Sequence, residues 1–365
     1  MRIALAALIA LVTAAPAAAA DEFHREDLRI PMAAAGPRGL EAMLIRPAGT
    51  KRYPLALISH GSPRDAKARE GMAPNGLYAQ AIEFARRGFA AVVVMRRGYG
   101  NSDGSYAENS GPCARRDYMI GAEASAADLR AAIEAMSRRA DVTTQGMIAL
   151  GVSAGGFASI ALSADPPPGL AAVINFAGGR GSRADNDVCD EEALVRAFAT
   201  MGKTSRVPML WVYAANDKFF GPELAHRMHA AFTSAGGRAR LIDAPAFGRD
   251  GHGLFSAGGA SIWTPMVDDF LREVNLGTRD LIALPASAAL SPPRQLSERG
   301  RTGFATYLAS GSHKAFAVSP KGFYAFRSGR RTAAEAETAA LSECAKHAPD
   351  CALYATGDEL AGQSK

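Results

Sequence analysis

Beyond its first twenty residues the chain has no apolar run long enough to cross a bilayer, which excludes an internal helical anchor of about 20 apolar residues. It has no Cys-x-x-Cys spacing, and its histidines form no cluster that would support metal ligation. No basic run is interleaved with aromatic residues. The net charge of +5 is carried mainly by scattered arginines and reads as a solvated surface, not as a nucleic-acid-binding face. There is no internal repeat from which a solenoid or propeller could be assembled.

What is present begins with the leading segment. Arg2 supplies a positive start, Ala4 to Leu11 an apolar stretch, and Ala18-Ala19-Ala20 a small-residue cleavage site before Asp21. Residues 1–20 therefore read as a secretory signal peptide, with a periplasmic or secreted bacterial protein as the consequence and no stable membrane span after cleavage. Export gives meaning to the cysteine count of four, because an even number in an oxidising compartment points to disulfides. A local bridge between Cys344 and Cys351, at the end of a helical segment, is the first choice, and it leaves Cys113 to pair with Cys189. Four cysteines allow three pairings, so the connectivity stays open at this point.

The middle of the chain alternates short apolar runs with helical segments, the signature of a mostly parallel sheet covered by helices. Strands are expected around Leu28 to Ile30, Leu40 to Ile45, Leu55 to Ile58, Ala91 to Met95, Met147 to Leu150, Ala171 to Ile174, Met209 to Tyr213 and Ala239 to Ile242. Helices are expected at 79–87, 123–138, 157–163, 223–234 and 264–274. The five runs from Leu55 to Tyr213 are apolar throughout instead of alternating, as strands buried on both faces must be. The reading gives a main domain over residues 21–278, a Pro/Ser/Ala-rich linker over 279–302 and a small β-β-α-β module over 303–365. The segment from Gly178 to Arg206 is long for a crossover and carries several charges, consistent with a small lid.

Ser153 stands in the run Gly151-Val152-Ser153-Ala154-Gly155-Gly156, between an apolar strand and a small-residue helix. A serine hydroxyl is a poor nucleophile until an imidazole takes its proton and a carboxylate holds that imidazole. Asp217 follows the Met209 to Tyr213 strand and His252 lies between two glycines after the last strand, so both are placed to serve. Ser102, in Gly100-Asn101-Ser102-Asp103-Gly104, fits the same Gly-x-Ser-x-Gly pattern but has no helix behind it and reads as a loop serine. Asp243 and Asp250 compete with Asp217 for the carboxylate, and His60 competes with His252 for the base.

These motifs, with Ser59-His60-Gly61-Ser62 after the third strand and Arg97-Gly98-Tyr99-Gly100-Asn101-Ser102 after the fourth, resemble the α/β-hydrolase superfamily. The likeness is greatest to its dienelactone-hydrolase-like and prolyl-oligopeptidase-like branches. It implies an eight-stranded, mostly parallel α/β sheet flanked by helices, and Ser153 as nucleophile, His252 as base and Asp217 as its orienting carboxylate. It further implies backbone oxyanion donors at Ala154 and at Gly61 or Ser62, with Tyr99 as a candidate assistant, and His60 shaping the turn. The expected activity is hydrolysis of a carboxylic ester, or of a short peptide, without metal or organic cofactor. The dienelactone branch often uses cysteine where this chain has Ser153, which points toward esterase or peptidase chemistry. A non-catalytic binding protein that engages a partner of unknown identity through the C-terminal module is the alternative from another class.

Overall fold

Continuous apolar runs can be buried on both faces only if helices cover both faces of the sheet they form, and this arrangement is what a computed structural model of the chain contains. It describes residues 22–277, 281–284, 290–311 and 313–362. The expected signal peptide over residues 1–20 and parts of the expected linker lie outside the described residues.

The main sheet has eight strands in the order β1-β2-β4-β3-β5-β6-β9-β10. These are β1 (Phe23–Met32), β2 (Gly36–Pro47), β3 (Tyr53–Ser59), β4 (Ala90–Val94), β5 (Val142–Val152), β6 (Leu170–Phe176), β9 (Met209–Ala214) and β10 (Ala239–Ala244). β1 pairs with β2 and β2 with β4 in antiparallel register; every other pair is parallel. Period-two alternation splits the strand residues between two cores. Val92 and Val94 point to one, with Leu129 of α2 (Tyr118–Ser137), Phe157 of α3 (Ala154–Ala164), Phe198 of α4 (Glu191–Gly202) and Phe232 of α5 (Pro222–Ser234). Ala91 and Val93 point to the other, with Phe84 of α1 (Tyr78–Ala85) and Trp263 and Phe270 of α6 (Ala260–Glu273).

The lid-like segment is built as a short hairpin, β7 (Ser182–Ala184) against β8 (Asp187–Val188), followed by α4. Cys189, just after β8, is bonded to Cys113, and Cys344 is bonded to Cys351.

The C-terminal part is larger than the sequence reading allows. Its antiparallel sheet has four strands in the order β12-β11-β13-β14, namely β11 (Ala315–Val318), β12 (Tyr324–Arg327), β13 (Ala352–Thr356) and β14 (Glu359–Leu360). One face carries α8 (Ala333–Ala345) through Ala336, Ala340 and Cys344. The other carries a helix absent from the sequence reading, α7 (Glu298–Ala309), through Phe304 and Tyr307. The expected linker over 279–302 is thus helical from Glu298 and packed from Leu296 onward. Ser297 caps α7, its side chain accepting the Gly300 N–H. The module is joined to the sheet by Arg331, whose guanidinium donates to Glu41 at 2.9 Å, and by Asn75, which donates to the Arg330 carbonyl at 2.9 Å. Among the described residues no helix is long and apolar enough to cross a membrane.

Candidate active site

In an open parallel sheet the loops at the carboxyl ends of the strands converge, and the chemistry-bearing residues lie there. Ser153 joins β5 to α3 with φ 57° and ψ −124°, a backbone conformation that a side-chain-bearing residue adopts only when its surroundings hold it. Its N–H donates to the Phe176 carbonyl at 2.9 Å, while its own carbonyl accepts from Phe157 and Gly179. Close packing explains the glycine beside it. A Cβ on Gly155 would lie 2.0 Å from the Ser59 carbonyl oxygen, so only glycine lets α3 start this close to β3. Ala154 opens α3, where first-turn N–H groups have no helical acceptor and the helix dipole favours negative charge. Gly61 comes up on the other side: a Cβ there would be 3.2 Å from the Ser153 Cβ.

Asp217 and His252 are brought together by the loops after β9 and β10. The imidazole Nδ1 of His252 lies 2.9 Å from Asp217 Oδ2 and 3.2 Å from Oδ1. Asp217 is buried and also accepts the N–H groups of Phe219 and Phe220, which fixes the carboxylate's orientation. With both oxygens of the pair accepting, Nδ1 carries a proton and Nε2 is left free to act as a base. Phe219 and Phe220 contact the His252 ring and also line a cleft of about 340 Å³ that includes Ser153, Ala154 and Ser62.

The rival residues make other contacts. Ser102 is buried, donates to the Met95 carbonyl at 2.6 Å and accepts the Glu41 N–H at 2.8 Å. Asp243 faces His226 on the surface. Asp250 accepts the N–H groups of His252 and Lys218 and so shapes the loop without touching the imidazole. His60 is buried between a carbonyl, Gly61 O at 2.7 Å from Nδ1, and a donor, the Arg96 N–H at 3.1 Å from Nε2. That pair of neighbours demands a neutral ring protonated on Nδ1. Burial and then the Arg96 charge push its pKa down to about 3. Its Nε2 lone pair is already used, so His60 has no basic site to offer a substrate.

Beneath the turn lies a cluster that no motif announces. Glu108 is buried and contacts Arg96, Arg180 and the Tyr99 hydroxyl at once. Burial alone would raise its carboxyl, but the Arg180 and Arg96 guanidinium groups outweigh that and hold it below the ordinary carboxylate range. Arg96 donates to Ser59 Oγ at 2.7 Å and to the His60 carbonyl at 2.8 Å, pinning the turn that carries Gly61. Tyr99 is fully buried, its hydroxyl 2.9 Å from Ser62 Oγ and 2.8 Å from Glu108 Oε2. It supports Ser62 from behind and does not line the cleft. A second hidden support is Tyr213, which donates to the Gly178 carbonyl at 2.6 Å and accepts from Asn175 at 3.2 Å. Among the described residues no group of three His, Cys, Asp or Glu side chains is arranged to hold a metal ion.

A model of the X-Pro dipeptidyl-peptidase (S15 family) matches residues 38–207, a span that holds Ser153 and ends before Asp217 and His252. No curated protein matches the chain significantly. Among solved structures, Thermogutta terrifontis esterase 2 phosphorylated by paraoxon superposes with a TM-score of 0.51 at 17% identity, covering 70% of this chain and 96% of that one. The tabun-phosphoramylated form of the same esterase gives 0.51 at 18% identity over 70% and 97%. Pyrococcus horikoshii acylaminoacyl peptidase gives 0.48 at 13% identity over 70% of this chain and 42% of that one. The sheet order and the superpositions on the Thermogutta esterase at a TM-score of 0.51 show that the chain has the α/β-hydrolase fold, with a strained serine between β5 and α3.

Proposed function

We propose that the protein is an exported hydrolase that cleaves carboxylic esters through Ser153, His252 and Asp217. Ser153 Oγ attacks the ester carbonyl while His252 Nε2 takes its proton, and Asp217 holds the imidazole and stabilises it once charged. The carbonyl oxygen, now negative, is received by the N–H of Ala154 and that of Gly61 or Ser62. Collapse expels the alcohol, to which His252 returns the proton, leaving an acyl group on Ser153. Water, activated by the same imidazole, then releases the acid. Tyr99 acts at one remove, as a positioning residue for Ser62.

The observation that carries this reading is the positive-φ Ser153 facing a cleft that it shares with Phe219 and Phe220, the two rings in contact with the Asp217-bound His252. Export is supported by the leading segment and by two disulfides, which persist in oxidising compartments. The organisation we propose is a signal peptide over 1–20, a hydrolase domain over 21–278, a connecting segment, and a C-terminal module that includes α7.

The test is covalent. A fluorophosphonate should label the mature protein at Ser153, and the label should vanish in His252→Ala; Thermogutta esterase 2, which shares the fold, is itself phosphorylated by the organophosphate paraoxon. Absence of labelling in the folded, oxidised protein would overturn the reading. The match to a peptidase family favours a second reading, hydrolysis of short peptides by the same residues. A paired panel of 4-nitrophenyl esters and peptide anilides separates the two.

A further inference from the structure

The cleft at Ser153 holds more positive charge than its own acids neutralise. Four arginines line it, Arg64, Arg69, Arg116 and Arg180, against a single carboxylate, Glu108. Glu108 is already shared between Arg180 and the buried Arg96, so that group of three carries one net positive charge. Arg64 is paired with Asp185 at 3.0 Å.

Arg69 and Arg116 differ. Among the described residues neither guanidinium lies within ion-pair distance of a carboxylate. Arg69 donates to the Ala66 carbonyl and lies 3.8 Å from the centroid of Tyr106, a cleft residue. Arg116 reaches only the Cys189 sulfur, at 3.9 Å; its neighbour Asp190 accepts the Arg116 backbone N–H and caps α4 instead. The Nε atoms of Arg116 and Arg180 are both buried without a hydrogen-bond acceptor among the described residues, and Arg180 is only 7% exposed.

Resting on the serine-hydrolase reading, we propose that Arg69, Arg116 and Arg180 form an anion subsite beside Ser153, so that the preferred substrate is an ester bearing a carboxylate near its scissile bond. The guanidinium fork matches a carboxylate in shape, and a half-buried setting strengthens the pairing relative to open water. The Cys113–Cys189 disulfide and the Tyr118 hydroxyl, which donates to the Cys189 carbonyl, hold the rim from which Arg116 projects. The positive charge is thus part of the wall and not a loose surface feature.

The test compares 4-nitrophenyl hemisuccinate with size-matched 4-nitrophenyl butyrate, and 4-acetoxybenzoate with its methyl ester, which places the carboxylate on the acyl or the leaving side. The proposal expects kcat/KM to favour the anionic member of at least one pair by about tenfold or more. That ratio should shrink as salt is raised. It should collapse toward one in Arg116→Gln and Arg69→Gln, with Arg116→Lys retaining part of it. Equal or greater activity on both neutral esters would overturn the subsite while leaving the hydrolase reading intact. If nothing is hydrolysed, calorimetry of succinate and hemisuccinate esters with the Ser153→Ala protein decides separately. Binding that is lost in Arg116→Gln supports the subsite, and no binding removes it.

Discussion

Phe219 lies flat against the imidazole of His252, ring centroids 3.9 Å apart and planes 10° from parallel, with the Arg64 guanidinium 3.6 Å from the same phenyl centroid. One aromatic ring therefore transmits the position of a cleft arginine to the proposed base. Asp217 fixes the imidazole along its Nδ1 edge, and Phe219 fixes the plane in which it can swing.

Phe219→Ala should lower kcat/KM for a simple ester by about ten- to a hundredfold, because a base displaced by an ångström loses alignment with the serine hydroxyl. Phe219→Tyr, which keeps the ring, should retain most of the activity. Steady-state kinetics with a thermal melt on each variant check this; equal activity of the alanine and tyrosine forms would remove the platform role.

The two Gly-x-Ser-x-Gly serines should separate cleanly. Ser153→Ala should abolish fluorophosphonate labelling with little effect on unfolding. Ser102→Ala should keep the label and lose about 1–3 kcal/mol of stability, since it strips a donor from the Met95 carbonyl and an acceptor from the Glu41 N–H. Labelling and urea titration of both variants measure the contrast.

How far the sequence announced this site depends on the kind of signal each residue leaves. The inner strands of the sheet were legible because strands buried on both faces must be apolar throughout, as Ala90–Val94 and Met209–Ala214 are, whereas the edge strands β1 and β10, interrupted by exposed Arg29 and Arg240, were legible only from short apolar stretches. Ser153 was legible because a tight turn demands small neighbours. Glu108, Arg96 and Arg180 were not. A charged residue destined for burial looks the same in a sequence as one destined for water, and only tertiary convergence tells them apart. Helix α7 was missed for a related reason: its segment is mostly polar, follows a proline-rich stretch, and meets the sheet mainly through Phe304 and Tyr307.

Stability should fall on acidification well above the carboxylate range, and His60 is the reason. Its folded pKa is depressed to about 3 from 6.5, so between those values the unfolded chain binds the extra proton and the folded one does not. Stability is therefore full above about pH 6.5 and declines by roughly 1.4 kcal/mol per pH unit below it. Glu108 adds a loss of the same sign at lower pH, where its unfolded carboxyl begins to protonate and the folded one stays charged. Urea unfolding at pH 5 to 7 should show the slope in the wild type and its disappearance in His60→Gln.

Removing Glu108 should cost far more than its one charge suggests. Glu108→Gln leaves Arg96 and Arg180 buried without a counter-charge, a loss of about 3–5 kcal/mol. It should also reduce turnover, because Arg96 holds the Ser59–His60 turn. Unfolding curves and ester kinetics on one preparation test both; a stable and fully active variant would show the cluster to be dispensable.

The Cys113–Cys189 bond spans 76 residues of sequence and ties the chain before α2 to the chain before α4. Its replacement by a pair of serines should cost about 4.5 kcal/mol by loop entropy, read as a drop in melting temperature matched by reducing the wild type. The consequence reaches beyond stability. One wall of the cleft is finished by an oxidation step and not by folding alone, so a precursor held among cytosolic thiols would lack its last covalent fastening. On the export we propose, that fastening would form only in an oxidising space, where an electron acceptor takes up the two electrons released as the bond closes.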